Sequence, residues 1–204
     1  MNEGPIYLSV DLDFWNQGSH RFKHLDRFMR QIVSHIDPRE IGIFDSHEEI
    51  LDHVNGSGCL EVVNVDWHSD LVNINDPVVA TWESWQSLNC GSWVNFVEFQ
   101  NRGKFTWIHP YKIKASGSGH GGYCHRPYKE THNPFVRQEL TDWLIVEDVA
   151  SRVPEEVIDW DRVTHVGIVF SYDWVEYSLE KYIYSIAEKY LGKRAKVNEK
   201  ARLG

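Results

Sequence analysis

Two short stretches of this chain concentrate side chains that bind divalent cations. One is Asp11-Leu-Asp13 and the other is Asp66-Trp-His68-Ser-Asp70. In an extended chain, residues i, i+2 and i+4 project to one side. Such spacing would bring two carboxylates together in the first stretch, and two carboxylates with an imidazole in the second. Carboxylate and imidazole donors together suit Mn²⁺, Zn²⁺ or Fe²⁺. Crowding these acids without a cation would cost several kcal/mol or force one of them to keep a proton. A single DxD is common in solvated surface turns. Two clusters, each directly after an apolar run of β-forming residues, are not explained that way. His47 adds an imidazole in Asp45-Ser-His-Glu-Glu, although a lone histidine after a strand is more often structural.

The elements that must carry these groups alternate along the chain. Ile6–Val10 reads as a buried strand running into Asp11. Phe22, Leu25, Met29, Ile32, Val33 and Ile36 recur at helical spacing, and Asp37-Pro38 ends that helix. Ile41–Phe44 reads as a second strand, followed by a helical piece with Ile50, Leu51 and Val54 and a turn at Asn55–Gly58. Leu60–Val65 is the clearest strand and runs into Asp66. Residues 92–100 read as a helix carrying Trp93, Phe96 and Val97. Phe105–Ile108 reads as a strand ending at His109-Pro110, Trp143–Val146 as another, and Val163–Phe170 as a strong one. A helix over about 175–190 ends at Gly192.

This alternation predicts a single-domain, three-layer α/β/α fold over residues 1–192. Its sheet is mostly parallel, and the site lies at the carboxyl ends of the strands. Residues 193–204 form a basic, frayed tail. The glycine-rich stretch 115–134 is long enough to favour a functional role.

Bulk properties limit the possible functions. Of 204 residues, 42% are hydrophobic and 13% aromatic, which excludes a disordered chain. A net charge of −9 argues against nucleic acid as a partner. Three unpaired-looking cysteines, Cys59, Cys90 and Cys124, fit a reducing cytoplasm rather than a disulfide framework. No apolar run is long enough to cross a membrane, and the first residues do not read as a signal peptide. Oligomeric state is not legible.

Taken in order, several segments resemble the arginase–deacetylase fold, and more narrowly its small peptide arginases. They are Phe44-Asp-Ser-His47-Glu-Glu-Ile-Leu51, Asp66 to Leu71, Cys90-Gly-Ser-Trp93-Val and Trp107-Ile-His109-Pro110. The resemblance covers about residues 41–110 plus the Asp11/Asp13 strand. It implies a metal-dependent C–N hydrolase with two metal ions, Mn²⁺ first, with Zn²⁺ or Fe²⁺ as alternatives. Asp66 and one of Asp11 and Asp13 would bridge the ions. His47 and Asp70 would complete one site, and His68 and the other aspartate the second. The implied reaction converts arginine, within a peptide, to ornithine and urea. Typical arginases place the DxD strand after the DxHxD strand. Here it comes first, which implies a permuted strand order, and a full GGDH-type histidine motif is lacking.

Such chemistry also needs a carboxylate for the guanidinium and a proton donor for the leaving amine. Asp173 and Glu176, after the strand ending at Phe170, are candidates for the first task, with Asp173 equally readable as a helix N-cap. Glu83 is a further substrate-binding candidate. His120 or His125 could shuttle the proton, while His109 reads as a supporting residue. Trp15 and Trp82 could line an entrance. Competing readings are a small-molecule amidinohydrolase, an amide deacetylase on the same fold, or a non-enzymatic metal-binding interaction protein.

Overall fold

The computed structural model describes residues 4–15, 21–68, 70, 71, 88, 90–99, 103–110, 145–171 and 177–192. Among them, six strands form one sheet. They are β1 Ile6–Asp11, β2 Ile41–Phe44, β3 Glu61–Val65, β4 Lys104–His109, β5 Ile145–Ala150 and β6 Val163–Val169. The order across the sheet is β2-β6-β1-β3-β4-β5, and every neighbouring pair is parallel. Three α-helices accompany it: α1 Arg21–His35, α2 Leu51–Ser57 and α3 Tyr177–Leu191.

Alternation along β1 divides the core. Ile6, Leu8 and Val10 face one layer with Leu25, Phe28, Met29 and Ile32 of α1 and Ile183 and Ala187 of α3. Tyr7 faces the opposite layer with Ile50, Val54 of α2, Val62, Trp93, Phe105 and Trp107. The sheet is therefore sandwiched between helical layers, as parallel sheets require, because their crossover connections must cover both faces. Within the first layer, Asp26 ties α1 to α3 by accepting from Lys189 at 2.6 Å and Tyr190 at 3.0 Å.

The connections explain where a site can form. After β1 the chain leaves through α1 on one face and reaches the β2 edge. After β3 it travels the other way, through the Trp93 segment on the opposite face, to β4. The crevice between the ends of β1 and β3 is thus a topological switch point, the place where open α/β sheets bind ligands.

Several expectations shift in detail. The helix read over residues 92–100 is only a 3-10 turn, Trp93–Phe96, after which Val97–Phe99 leaves the helical conformation. Spacing of Trp93, Phe96 and Val97 satisfies one such turn plus a buried extended exit as well as it satisfies a helix. Of the strand read at Trp143–Val146, Ile145 and Val146 lie in β5, which continues to Ala150, and residues 143 and 144 lie outside the described residues. Among the described residues β5 is an edge strand, paired with β4, so it tolerates Glu147, whose carboxylate pairs with Lys104 at 3.1 Å. Trp15 does not line an entrance. It is buried, packed edge-on against Phe14 at 4.8 Å and tilted against Phe28 at 5.1 Å. Trp82 and the 193–204 tail lie outside the described residues. No helix among the described residues is long and apolar enough to cross a membrane.

Candidate metal centre

All six residues read from the sequence as metal ligands meet in the β1/β3 crevice. Asp11 closes β1 and Asp13 sits in the 3-10 turn Leu12–Trp15 that follows. His47 opens the 3-10 turn His47–Ile50 that follows β2. Asp66, His68 and Asp70 follow β3. The mode of convergence differs from the extended chain expected. β3 ends at Val65 and the chain bends, with the His68 N–H donating to Asp66 Oδ1 at 2.8 Å. Asp70 then adopts a left-handed backbone, φ +52°, which short polar side chains tolerate. The Asp13 N–H likewise donates to Asp11 Oδ1 at 2.8 Å. In both clusters the first carboxylate holds the turn that returns the later ligands to it.

The groups fall into two sets that share one residue. One donor atom from each of Asp11, His47 and Asp66 lies within 4.8 Å of the others, and the same holds for Asp13, Asp66 and His68. His47 Nδ1 is 3.2 Å from Asp11 Oδ2, 3.5 Å from Asp66 Oδ2 and 3.1 Å from Asp70 Oδ2. His68 Nδ1 is 3.4 Å from Asp13 Oδ2 and 3.8 Å from Asp66 Oδ1. Asp66 therefore turns one oxygen toward each set. The first set is closed: Asp11, His47, Asp66 and Asp70 are all 5% exposed or less. The second is more open, because the His68 side chain is 25% exposed.

Burial makes the cluster electrostatically costly by itself. Burial, then the Asp11 charge, pushes the Asp13 carboxyl from 3.8 up to about 6, against the pull of His68 and His47. Asp66 is raised well above the carboxylate range by burial and by the charges of Asp70, Asp13 and Asp11. Burial also raises Asp70, opposed by His47. Burial would lower His47, but the charges of Asp70 and Asp11 outweigh it and lift it to about 9. His68 moves upward in the same way, burial being outweighed by Asp13. Protons are thus held where a cation would otherwise sit. A divalent cation removes this conflict by displacing them.

The residues present fit such an ion. The donors are carboxylate oxygens and imidazole nitrogens. Asp13 Oδ1 is buried and accepts no hydrogen bond among the described residues, which leaves it an available donor for a cation. The cluster can therefore hold a metal ion.

Around it stands a shell of donors that sequence reading missed. Ser171 Oγ donates to Asp11 Oδ2. Ser9 Oγ lies 3.1 Å from His47 Nε2. Asn64 Nδ2 donates to Asp66 Oδ2 at 3.3 Å and more weakly to Asp70 Oδ2 at 3.5 Å. Trp93 Nε1 donates to Asp70 Oδ2 at 2.7 Å, and its ring stacks on His47 with centroids 5.3 Å apart and planes 16° from parallel. Trp107 Nε1 donates to the Asp66 carbonyl at 3.0 Å. Ser9 and Asn64 are opposite each other in the β1/β3 register and fully buried, and the signal in the sequence was a polar residue near the end of each apolar strand run.

The remaining candidates are placed as follows. His109 is buried at the end of β4, its ring 4.4 Å from that of Trp107. Glu83, His120, His125, Asp173 and Glu176 lie outside the described residues. Cys59 and Cys90 are free thiols. Comparison of the chain with models of protein families, with curated proteins and with solved structures returns no match.

Proposed function

We propose that this chain is a metal-dependent C–N hydrolase with a binuclear centre. Its reaction is cleavage of the guanidinium of arginine within a peptide, giving ornithine and urea in the cytoplasm. The observation that carries the reading is Asp66, which offers one oxygen to a closed donor set and the other to a more open set. The substrate class and the arginase-like assignment rest on the order of sequence motifs, from Phe44 to Pro110.

Asp11, His47, Asp66 and Asp70 would hold one ion, and Asp13, Asp66 and His68 the other. Mn²⁺ is the preferred ion for this oxygen-rich set, with Zn²⁺ or Fe²⁺ as alternatives. Such a pair of ions would supply a water activated at neutral pH and an electrophile for the developing charge.

The chain's own residues do the rest. His47 is committed at both nitrogens, Nε2 beside Ser9 and Nδ1 among three carboxylates. It is therefore a fixed ligand rather than a proton carrier. The exposed flank of His68 would be the side from which a substrate arrives. An acidic protein draws a guanidinium toward that side. Glu83, Asp173 or Glu176 would pair with the cation; the last two follow soon after Ser171, which is bonded to Asp11. His120 or His125 would protonate the departing amine.

The test incubates Mn²⁺-loaded protein with arginine-containing peptides and follows peptide mass and released urea. Loss of the elements of cyanamide per arginine, with free arginine and agmatine unchanged, is the expected result. Turnover of free arginine or agmatine alone would favour the small-molecule reading. No turnover of any guanidino or amide compound by metal-loaded protein would overturn the hydrolase.

A further inference from the structure

We propose that Trp93 is a positioning residue that sets how tightly the closed half of the centre, Asp11, His47, Asp66 and Asp70, takes up a divalent cation. This rests on the metal-centre reading above. Trp93 touches two ligands at once, by different means. Its Nε1 donates to Asp70 Oδ2 at 2.7 Å, and its ring lies against the His47 imidazole, 16° from parallel.

Both ligands need such restraint. Asp70 belongs to no strand or helix, and its left-handed backbone leaves the carboxylate without support from a ladder. Among the described residues that oxygen also has His47 Nδ1 at 3.1 Å, itself a ring to be oriented, and Asn64 Nδ2 at 3.5 Å, the limit of hydrogen bonding. His47 sits in a short 3-10 turn, and its ring is held by the flat indole on one side, by Ser9 at Nε2 and by the carboxylates around Nδ1. The stack and the Ser9 contact together turn Nδ1 toward Asp11, Asp66 and Asp70.

Trp93 is itself fixed. It is fully buried in the second core layer, which also holds Tyr7, Ile50, Val94, Phe105 and Trp107. The rigidity of that layer is thereby transmitted to the ligands, as outer donors do in metal sites generally. Both ligands that Trp93 touches, Asp70 and His47, belong to the closed half, so the two halves should respond differently to its loss.

Calorimetric titration of the metal-free protein with Mn²⁺ tests this, in wild type and Trp93→Phe. Phenylalanine keeps an aromatic face and loses only the N–H and the second ring. One of two binding events should weaken by about 10- to 100-fold, and the other should stay within a few-fold. A merely structural role would lower the melting temperature of the metal-free protein and leave the relative affinities of the two events unchanged. Should the variant not fold, the indole N–H resonance of Trp93 in wild type serves instead, followed during titration with diamagnetic Zn²⁺. It should shift with the first equivalent. Equal Mn²⁺ affinities in both proteins, or an indole resonance unmoved by bound Zn²⁺, would overturn the role of Trp93 alone. A wild type that takes up neither ion would overturn the metal centre on which it rests.

Discussion

The hydroxyl of Ser171 donates to Oδ2 of Asp11 across 160 positions of sequence, joining the second residue after β6 to the last residue of β1. The two strands are neighbours in register, Asp11 opposite Val169, so the bond forms just where the sheet ends. Ser171 holds a left-handed backbone, φ +45°, to reach it. Ser171→Ala should leave the fold intact and loosen Asp11. Mn²⁺ affinity should fall by about 10- to 100-fold, read by equilibrium dialysis. Unchanged affinity would remove Ser171 from the account.

Removing metal should make stability fall with pH in a window set by Asp13. Its folded-state pKa is raised from 3.8 to about 6. A raised carboxyl contributes stability that is fully present below its unfolded value and is lost as pH rises through its folded value. Metal-free protein should therefore lose up to about 3 kcal/mol relative to Asp13→Asn between pH 4 and 6, the value of two pKa units. His47, raised from 6.5 to about 9, adds a second loss as pH rises through 9. Urea unfolding of both proteins with and without EDTA measures the difference. A wild type that gains on Asp13→Asn over pH 4 to 6 without metal would contradict it.

Gly167 should not accept alanine. A Cβ there would collide with the Ile50 side chain and the Tyr7 hydroxyl, the latter bonded to His53 Nδ1 at 2.7 Å. Overpacking of this kind costs about 1–3 kcal/mol. Because Ile50 closes the turn that His47 opens, Gly167→Ala should lower both the melting temperature and Mn²⁺ affinity. A melting temperature equal to wild type would show that the α2 layer yields more easily than its packing implies.

The ligands were legible because each cluster is local. Asp11 with Asp13, and Asp66 with His68, are tied by their own backbone turns, so sequence spacing alone kept them together. Strand ends were legible from apolar runs, and the sheet came out wholly parallel among the described residues. His47 was only a candidate by itself, because its place depends on β2 lying one strand away from β1 across β6. Ser9 and Ser171 were hidden for the same reason: each acts on a side chain far away in sequence, 38 and 160 positions off. Asn64 acts locally, on Asp66 and Asp70, and shows in sequence only as a polar residue within an apolar strand. The short Trp93 turn was misread as a helix, since buried aromatic spacing does not distinguish one 3-10 turn from several helical ones.

The central claim is that Asp66 serves two ions at once. Metal content per chain after equilibrium dialysis against Mn²⁺, in wild type, Asp13→Ala and Asp66→Ala, tests it most directly. Two ions in wild type, one in Asp13→Ala and none in Asp66→Ala is the expected series. A wild type that retains no ion, or an Asp66→Ala protein that still retains two, would contradict it.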